Sequence, residues 1–383
     1  MERNDRGPNE GLIGVRGSRY ELGTPALVLD LEAMEANIAT MAHHADTHDY
    51  AVRPVAKIHK SIEVARRQVA AGGIGACCST LAEAEVMVDG GISDVMLFTS
   101  VVTAPKLERL AALNARSDGL IVVADHAANI AQLEEAARRS SRPLRVLIDI
   151  EVGGGRTGVA GADSVVGLAR IVDGSDWLEY AGVQGYSGAH MTIVDFETRR
   201  RRGHQILEPL LVAVDRLHSE GLEPPIVSGS GTGTHDIDHE LGVFTEVQAG
   251  TYVFMDGNYR DVVMRRDQTH PFLPALAVRT TVISDAQPGF VVTDAGIKEI
   301  DVIFGSDHPV ILGGAPSGSS YSVIGDDMGR IDFARPADGL AVGDRVDLMP
   351  PHCYQTVCMY SNYHVVAGDD LVDIWPVDAL ASW

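Results

Sequence analysis

Apolar extended runs alternate with amphipathic helical patterns from Ala26 to about residue 250, and that rhythm admits few folds. Ala26-Leu27-Val28-Leu29-Asp30 reads as a strand, and residues 32–46 carry Met34, Ile38 and Met41 on one helical face. An extended run before Lys57 follows, then a helical pattern over 61–71 and a buried strand through Cys77-Cys78. Further strands are predicted at 94–98, 119–124, 144–150, 180–186, 225–228 and 246–250, with helical patterns over 81–88, 104–114, 126–139, 163–172 and 195–220. About eight such units in roughly 240 residues predict a (β/α)8 barrel. Apolar strands such as 146–150 fit a parallel sheet covered on both faces. An open doubly wound sheet is disfavoured, because no Gly-x-Gly-x-x-Gly follows the first strand.

From about Gln268 the rhythm changes to short extended runs between glycine, proline and aspartate turns. The expected fold class is therefore α/β, a (β/α)8 barrel plus a mainly antiparallel β C-terminal domain. Residues 1–24 are expected to form an arm and strand joining the β domain, residues 25–267 the barrel, and residues 268–383 the β domain. The 383 residues suffice for two or three domains.

Charge narrows the function classes. With 53 acidic against 31 basic side chains the formal net charge is −22, which repels nucleic-acid backbones and anionic lipid. No apolar run has the length of a membrane span, and Met1-Glu2-Arg3-Asn4-Asp5 lacks a signal-peptide core, so a cytoplasmic enzyme is expected. Cys77, Cys78, Cys353 and Cys358 are read as free thiols, with Cys77 and Cys78 packing in a strand and no Cys-x-x-Cys spacing for structural zinc.

Barrel enzymes gather function at the carboxyl ends of their strands. Here those ends hold Lys57, Ser79, Thr80, Thr99, Asp125, Arg156, Tyr186, Ser230, Gly231, Thr232 and Gln248. A lysine at such a place is desolvated, which depresses its pKa and makes the amine nucleophilic toward a carbonyl. The run Ser228-Gly229-Ser230-Gly231-Thr232-Gly233-Thr234 follows a late strand, where barrel enzymes often hold phosphate. Its glycines let backbone amides approach an anion, and Thr232 adds a hydroxyl. A nucleophilic lysine together with a phosphate loop points to a phosphorylated aldehyde cofactor. Arg156 in a second glycine loop and Tyr186 are candidates to flank its ring.

Many segments, in order, resemble the fold-type III pyridoxal-phosphate enzymes, in the branch of D-threonine aldolase, 3-hydroxy-D-aspartate aldolase and D-serine dehydratase. They include Thr24-Pro25, Ala56-Lys57-Ile58-His59-Lys60-Ser61, Ala82-Glu83-Ala84-Glu85, Arg156-Thr157-Gly158 and Gly185-Tyr186-Ser187-Gly188. The glycine loop, Gln248-Ala249-Gly250-Thr251-Tyr252, Asp294-Ala295-Gly296-Ile297-Lys298 and Pro351-His352 complete the set. The resemblance implies pyridoxal 5′-phosphate carried by Lys57, with Arg156, Tyr186, Ser230, Gly231, Thr232, Gln248 and Tyr252 around it. It also implies a homodimer, an amino-acid substrate, and a divalent metal (Mn, Mg or Zn) held by His352 and the residue two positions on. That residue is Tyr354, a poor ligand for such an ion, so the metal site is expected to be degenerate. Cys353 is one residue early and on an extended strand would face away. Val55 and Met328 stand where relatives tend to carry histidine.

The expected activity is a lyase, cleaving a D-configured β-hydroxy-α-amino acid by retro-aldol chemistry. His59 and His190 are the candidate bases, His59 because it shares the side of Lys57 if the strand continues. A D-serine-type dehydratase is the nearest alternative. A racemase or epimerase is the next, with Tyr354 or Tyr360 as a second base. A non-enzymatic cofactor carrier is disfavoured by the full β domain.

Overall fold

The computed structural model describes residues 6–302, 308–335 and 339–380. The first strand, β1 (Ala26–Asp30), leads into α1 (Leu31–Thr47), where Asp30 caps the helix by accepting from the Ala33 N–H. Then follow β2 (Ala51–Val52), α2 (Ile62–Ala70), β3 (Ala76–Cys78), α3 (Leu81–Asp89), β4 (Val95–Leu97) and α4 (Ala104–Arg116). The alternation ends with β5 (Ile121–Ala124), α5 (Ala127–Ser140), β6 (Leu144–Asp149), α6 (Ala162–Asp173), β7 (Leu178–Gly185), α7 (Phe196–Ser219), β8 (Ile226–Gly229) and β9 (Glu246–Val247).

The eight strands β2 to β9 form one parallel sheet in the order β2-β9-β8-β7-β6-β5-β4-β3. Its two ends meet where Val55 bridges Cys77 and the Cys77 N–H donates to the Pro54 carbonyl, which closes the barrel. Alternate side chains obey the strand period of two. Cys77, Met96, Ile121, Val123, Leu147 and Ala181 make one apolar cluster, while Cys78, Leu97, Val122, Val146 and Ile148 pack in another with the surrounding helices.

The short α8 (Gly257–Arg260) leaves the barrel. The β domain comprises β10 (Leu276–Ser284), β11 (Phe290–Thr293), β12 (Val310–Gly313), β13 (Ser320–Val323), β14 (Gly329–Asp332) and β15 (Arg345–Met349), then α9 (Cys353–Val357), β16 (Asn362–Ala367) and β17 (Asp370–Pro376). All its strand pairs are antiparallel except that between β16 and β1.

That exception corrects a boundary. β1, read as the opening barrel strand, instead lies between β10 and β16, with Ala26 opposite Arg279 and Val28 beside His364. The strand that joins the N-terminus to the β domain is thus residues 26–30, and the barrel begins with α1. Before β1, the described arm contains short 3₁₀ turns rather than a strand. One apolar core, containing Met34, Phe254, Leu276 and Tyr363, spans α1, the segment after β9 and the β domain. It seats the β domain against the barrel mouth.

Candidate active site

Lys57 does not ride on a strand. β2 ends at Val52, and Lys57 occupies a 3₁₀ turn, Ala56–Ile58. The turn still delivers the side chain into a cavity of about 470 Å³ at the carboxyl ends of the barrel strands. Lys57 is half-buried there, with its Nζ 5.5 Å from the centre of the Phe98 ring and 5.8 Å from that of Tyr354. Burial holds its pKa below the usual lysine range, and Arg156 adds to the effect. Of the chain's four lysines, at 57, 60, 106 and 298, Lys57 is the one that lines this cavity. Lys60 pairs with Glu83, Lys298 with Asp327, and Lys106 is exposed on α4.

Opposite Lys57 runs the glycine loop after β8. Gly231 and Thr232 line the cavity. A Cβ at Gly231 would stand 2.5 Å from the Met191 sulfur, and one at Gly233 would stand 2.1 Å from the Met191 carbonyl oxygen. At Gly233, where the neighbour is backbone, only glycine permits so close an approach. Thr232 Oγ1 accepts from the Tyr252 N–H at 3.1 Å, which ties the loop to the turn Thr251–Val253. Ser230 is buried beside Thr234 and is not among the lining residues. Tyr252 is also displaced from its expected place. Its ring is buried on the outer side of the barrel wall, where its hydroxyl accepts from Gln68 at 2.9 Å.

Gln248 lines the cavity floor and begins a buried polar chain that sequence patterning does not announce. Its Nε2 lies 2.9 Å from both Gln184 Oε1 and Ser228 Oγ. Gln184 donates on to Asp149, which also accepts from Thr157. Ser228 donates to Glu246, which receives a bidentate grip from Arg53 at 2.7 and 2.8 Å. With these partners both carboxylates and the Gln184 and Ser228 side-chain oxygens are engaged, as burial demands.

Tyr186 reaches the cavity from the end of β7, and the Arg156 guanidinium lies 5.0 Å from its ring centre. Arg156 itself is exposed in the open loop after β6 and is not among the lining residues. Ser79 and Thr80 serve structure. Their N–H groups donate to Glu83, Thr80 caps α3 in return, and Glu83 pairs with the buried Lys60.

The two proposed bases are elsewhere. The expectation for His59 required a continuing strand. The 3₁₀ turn rotates it instead into the protein interior, where Nδ1 accepts from the Ser61 N–H. Burial lowers its pKa to about 3. His190 packs against Gly203 of α7, and burial with Arg199 nearby lowers it to about 4. Neither lines the cavity. The histidine that does is His352, which caps α9 with its Nδ1 accepting from the Tyr354 N–H. Tyr354 lines the cavity too, whereas Tyr360 is directed away and donates to the Glu299 carbonyl.

Cys353 also departs from expectation, because the segment is the start of a helix and not an extended strand. Ligand atoms of Asp256, His352 and Cys353 all lie within 4.8 Å of one another. Asp256 is buried, its Oδ2 accepts from the Cys353 N–H, and its Oδ1 has no hydrogen-bond partner. Burial raises its pKa to about 7. An imidazole, a carboxylate and a thiol with an orphaned oxygen suit a zinc-class ion. Asp256 was missed because only the fold brings it to His352. Val55 lines the cavity, and Met328 is exposed on the turn between β13 and β14.

A larger cavity of about 610 Å³ opens between α1, β2 and α2, but it holds neither a lysine nor the glycine loop. The Lys57 cavity has what the inferred cofactor requires: a depressed amine, a close-approach glycine loop and aromatic walls.

Comparison with known proteins agrees with that chemistry. The family described as "Alanine racemase, N-terminal domain" matches residues 29–258, and "Putative serine dehydratase domain" matches residues 275–366. The 3-hydroxy-D-aspartate aldolase of Paracoccus denitrificans (strain Pd 1222) is 35% identical over 94% of this chain and 92% of its own length. The D-threonine aldolase of an Arthrobacter species is 35% identical over 93% of this chain and 92% of its own. The crystal structure of D-threonine aldolase from Filomicrobium marinum superposes with a TM-score of 0.90 at 34% identity, covering 94% of this chain and 96% of that one.

Proposed function

The chain belongs to the alanine racemase N-terminal-domain family of pyridoxal-phosphate enzymes, in its D-threonine aldolase branch, and on that footing we propose how its residues work. It is an aldolase acting on D-configured β-hydroxy-α-amino acids. The observation that carries this reading is the half-buried Lys57 amine facing the glycine loop across a cavity walled by His352 and Tyr354 of the β domain.

Pyridoxal phosphate, when bound, supplies an aldehyde for amine attachment and an electron sink for bonds broken at Cα. Lys57 is the residue that attaches it, because a depressed pKa leaves more free amine at neutral pH. Gly231 and Thr232 hold the phosphate. Tyr186 flanks the ring, Arg156 stacks behind Tyr186, and Gln248 anchors the floor. Without a metal, His352, kept neutral by burial, takes the proton from the β-hydroxyl as the Cα–Cβ bond breaks; once His352 ligates a metal, that ion would acidify the hydroxyl in its place. The aldehyde leaves, and a proton returned to Cα completes glycine. Asp256, His352 and Cys353 would hold a divalent metal, which would supply Lewis acidity toward the same hydroxyl. Their mixed donor set suits zinc better than magnesium or manganese.

The assembly proposed is a homodimer, and light scattering should give about twice the 40.9 kDa chain mass. Among the described residues no helix is long and apolar enough to cross a membrane, and we place the enzyme in the cytoplasm. The reaction itself is tested by product analysis with D-threonine and 3-hydroxy-D-aspartate. Glycine and the matching aldehyde are expected. Ammonia with an oxo acid would assign the dehydratase reaction instead, and inversion without fragmentation would assign a racemase.

A further inference from the structure

Three histidines far from Lys57 in sequence converge where α1 ends. His44 lies in the last turn of α1, His48 is its C-terminal cap, and His239 lies in the 3₁₀ turn Asp238–Leu241 between β8 and β9. The ring centres of His44 and His48 are 4.2 Å apart, and those of His48 and His239 are 4.0 Å apart. One ring nitrogen from each residue lies within 4.8 Å of the others. None of the three lines the Lys57 cavity.

Two of the three, His44 and His48, have the outer contacts of metal ligands. His44 Nε2 is 2.9 Å from the His235 carbonyl oxygen, and a carbonyl only accepts, so Nε2 carries the proton and Nδ1 keeps its lone pair. His48 Nδ1 is 2.7 Å from the His44 carbonyl oxygen, which leaves Nε2 as the lone-pair nitrogen. His239 Nδ1 is buried and has no hydrogen-bond partner. A backbone carbonyl on the far nitrogen is how a ligating imidazole is oriented and its tautomer fixed. Burial lowers the pKa of His44 to about 4 and also lowers that of His239, so both present neutral rings near pH 7. Asp236 favours positive charge beside His44 and His239, whereas Arg265 opposes it near His44.

We propose that His44, His48 and His239 form a second divalent-metal site, separate from the Lys57 cavity, that clamps α1 to the segment between β8 and β9. Three imidazoles select zinc, cobalt, nickel or copper over magnesium and calcium, and leave a fourth position for water. The clamp acts on the segment that carries the phosphate loop, because the His235 carbonyl bound by His44 lies next to the turn Thr232–Thr234.

The test uses the cofactor-loaded enzyme, stripped with a chelator and titrated with zinc chloride by calorimetry and by thermal unfolding. One equivalent is expected to survive in a His352→Ala variant and to be lost in a His48→Ala/His239→Ala variant. In the latter, affinity for that equivalent should fall at least 100-fold, and the zinc-dependent rise in Tm should disappear while aldolase turnover persists. If the double variant misfolds, His48→Gln alone on the half-exposed cap should give the same loss. Undiminished zinc binding in the His48 variants, or no zinc bound by the His352→Ala protein, would overturn the proposal.

Discussion

Asp256 shows how much a single side chain can depend on its neighbours. It is 1% exposed, its Oδ1 has no hydrogen-bond partner, and burial raises its pKa to about 7. If it holds metal with His352 and Cys353, Asp256→Asn removes the charge while keeping the shape. Zinc content by elemental analysis should then fall by about one equivalent per chain in the purified protein, leaving the equivalent assigned to His44, His48 and His239. Retention of full zinc occupancy would remove Asp256 from the site. In the glycine loop across the cavity, Gly233→Ala puts a methyl 2.1 Å from the Met191 carbonyl oxygen. The loop must shift, and cofactor affinity measured by spectral titration is expected to weaken by about 10- to 100-fold, or about 1.4–2.7 kcal/mol. An unchanged affinity would mean that the loop does not hold the phosphate.

The elements divide into those that position chemistry and those that carry load. The Arg53–Glu246 pair links the start of the Lys57 segment to β9 inside the barrel, with both side chains no more than 3% exposed. Removing one partner leaves a buried charge, so Glu246→Gln should destabilise the fold by about 3–5 kcal/mol in denaturant unfolding. A loss below about 1 kcal/mol would show that the pair is dispensable. Much at this scale was legible from residue order. The barrel strands, the Lys57–Gly231 juxtaposition and the β domain all follow from periodicity and loop chemistry. The failures share one cause, namely a local pattern overridden by distant partners. β1 has the apolar run of a barrel strand, yet its edges are satisfied by β10 and β16. His59 was assigned by strand alternation, and the 3₁₀ turn at Lys57 breaks that alternation. Tyr252 carries a family motif whose work is to brace Thr232 through its backbone. Thr24 and Asp294, also motif residues, are bonded to each other at 2.6 Å and fasten the N-terminal arm to the β domain. Asp256 and the Gln248–Gln184–Asp149 chain left no signal in sequence spacing, because only closure of the barrel and docking of the β domain assemble them.

For the whole molecule, the buried histidines set how acid acts on the fold. His44 and His190 are lowered to about 4 and His59 to about 3, against 6.5 when exposed. As pH falls below 6.5 the unfolded chain takes up protons that these folded sites refuse, so each contributes stability that is lost on acidification. Asp238 and Asp256, raised to about 6 and about 7, act in the opposite sense and favour the fold at low pH. His59→Asn keeps an acceptor near the Ser61 N–H and removes one histidine term. Its unfolding free energy should therefore decline less than the wild type's between pH 6.5 and about 4, and parallel profiles would contradict the assignment. The central claim, however, concerns the lysine at the barrel mouth. Borohydride reduction of the holoenzyme, followed by digestion and mass spectrometry, tests it most directly among the four lysines of the chain. The expected result is a pyridoxyl-phosphate adduct on the peptide containing Lys57, at Lys57 and not at Lys60, and its absence from Lys57→Ala. An adduct at Lys60, Lys106 or Lys298, or a Lys57→Ala protein that keeps its adduct and its activity, would contradict it.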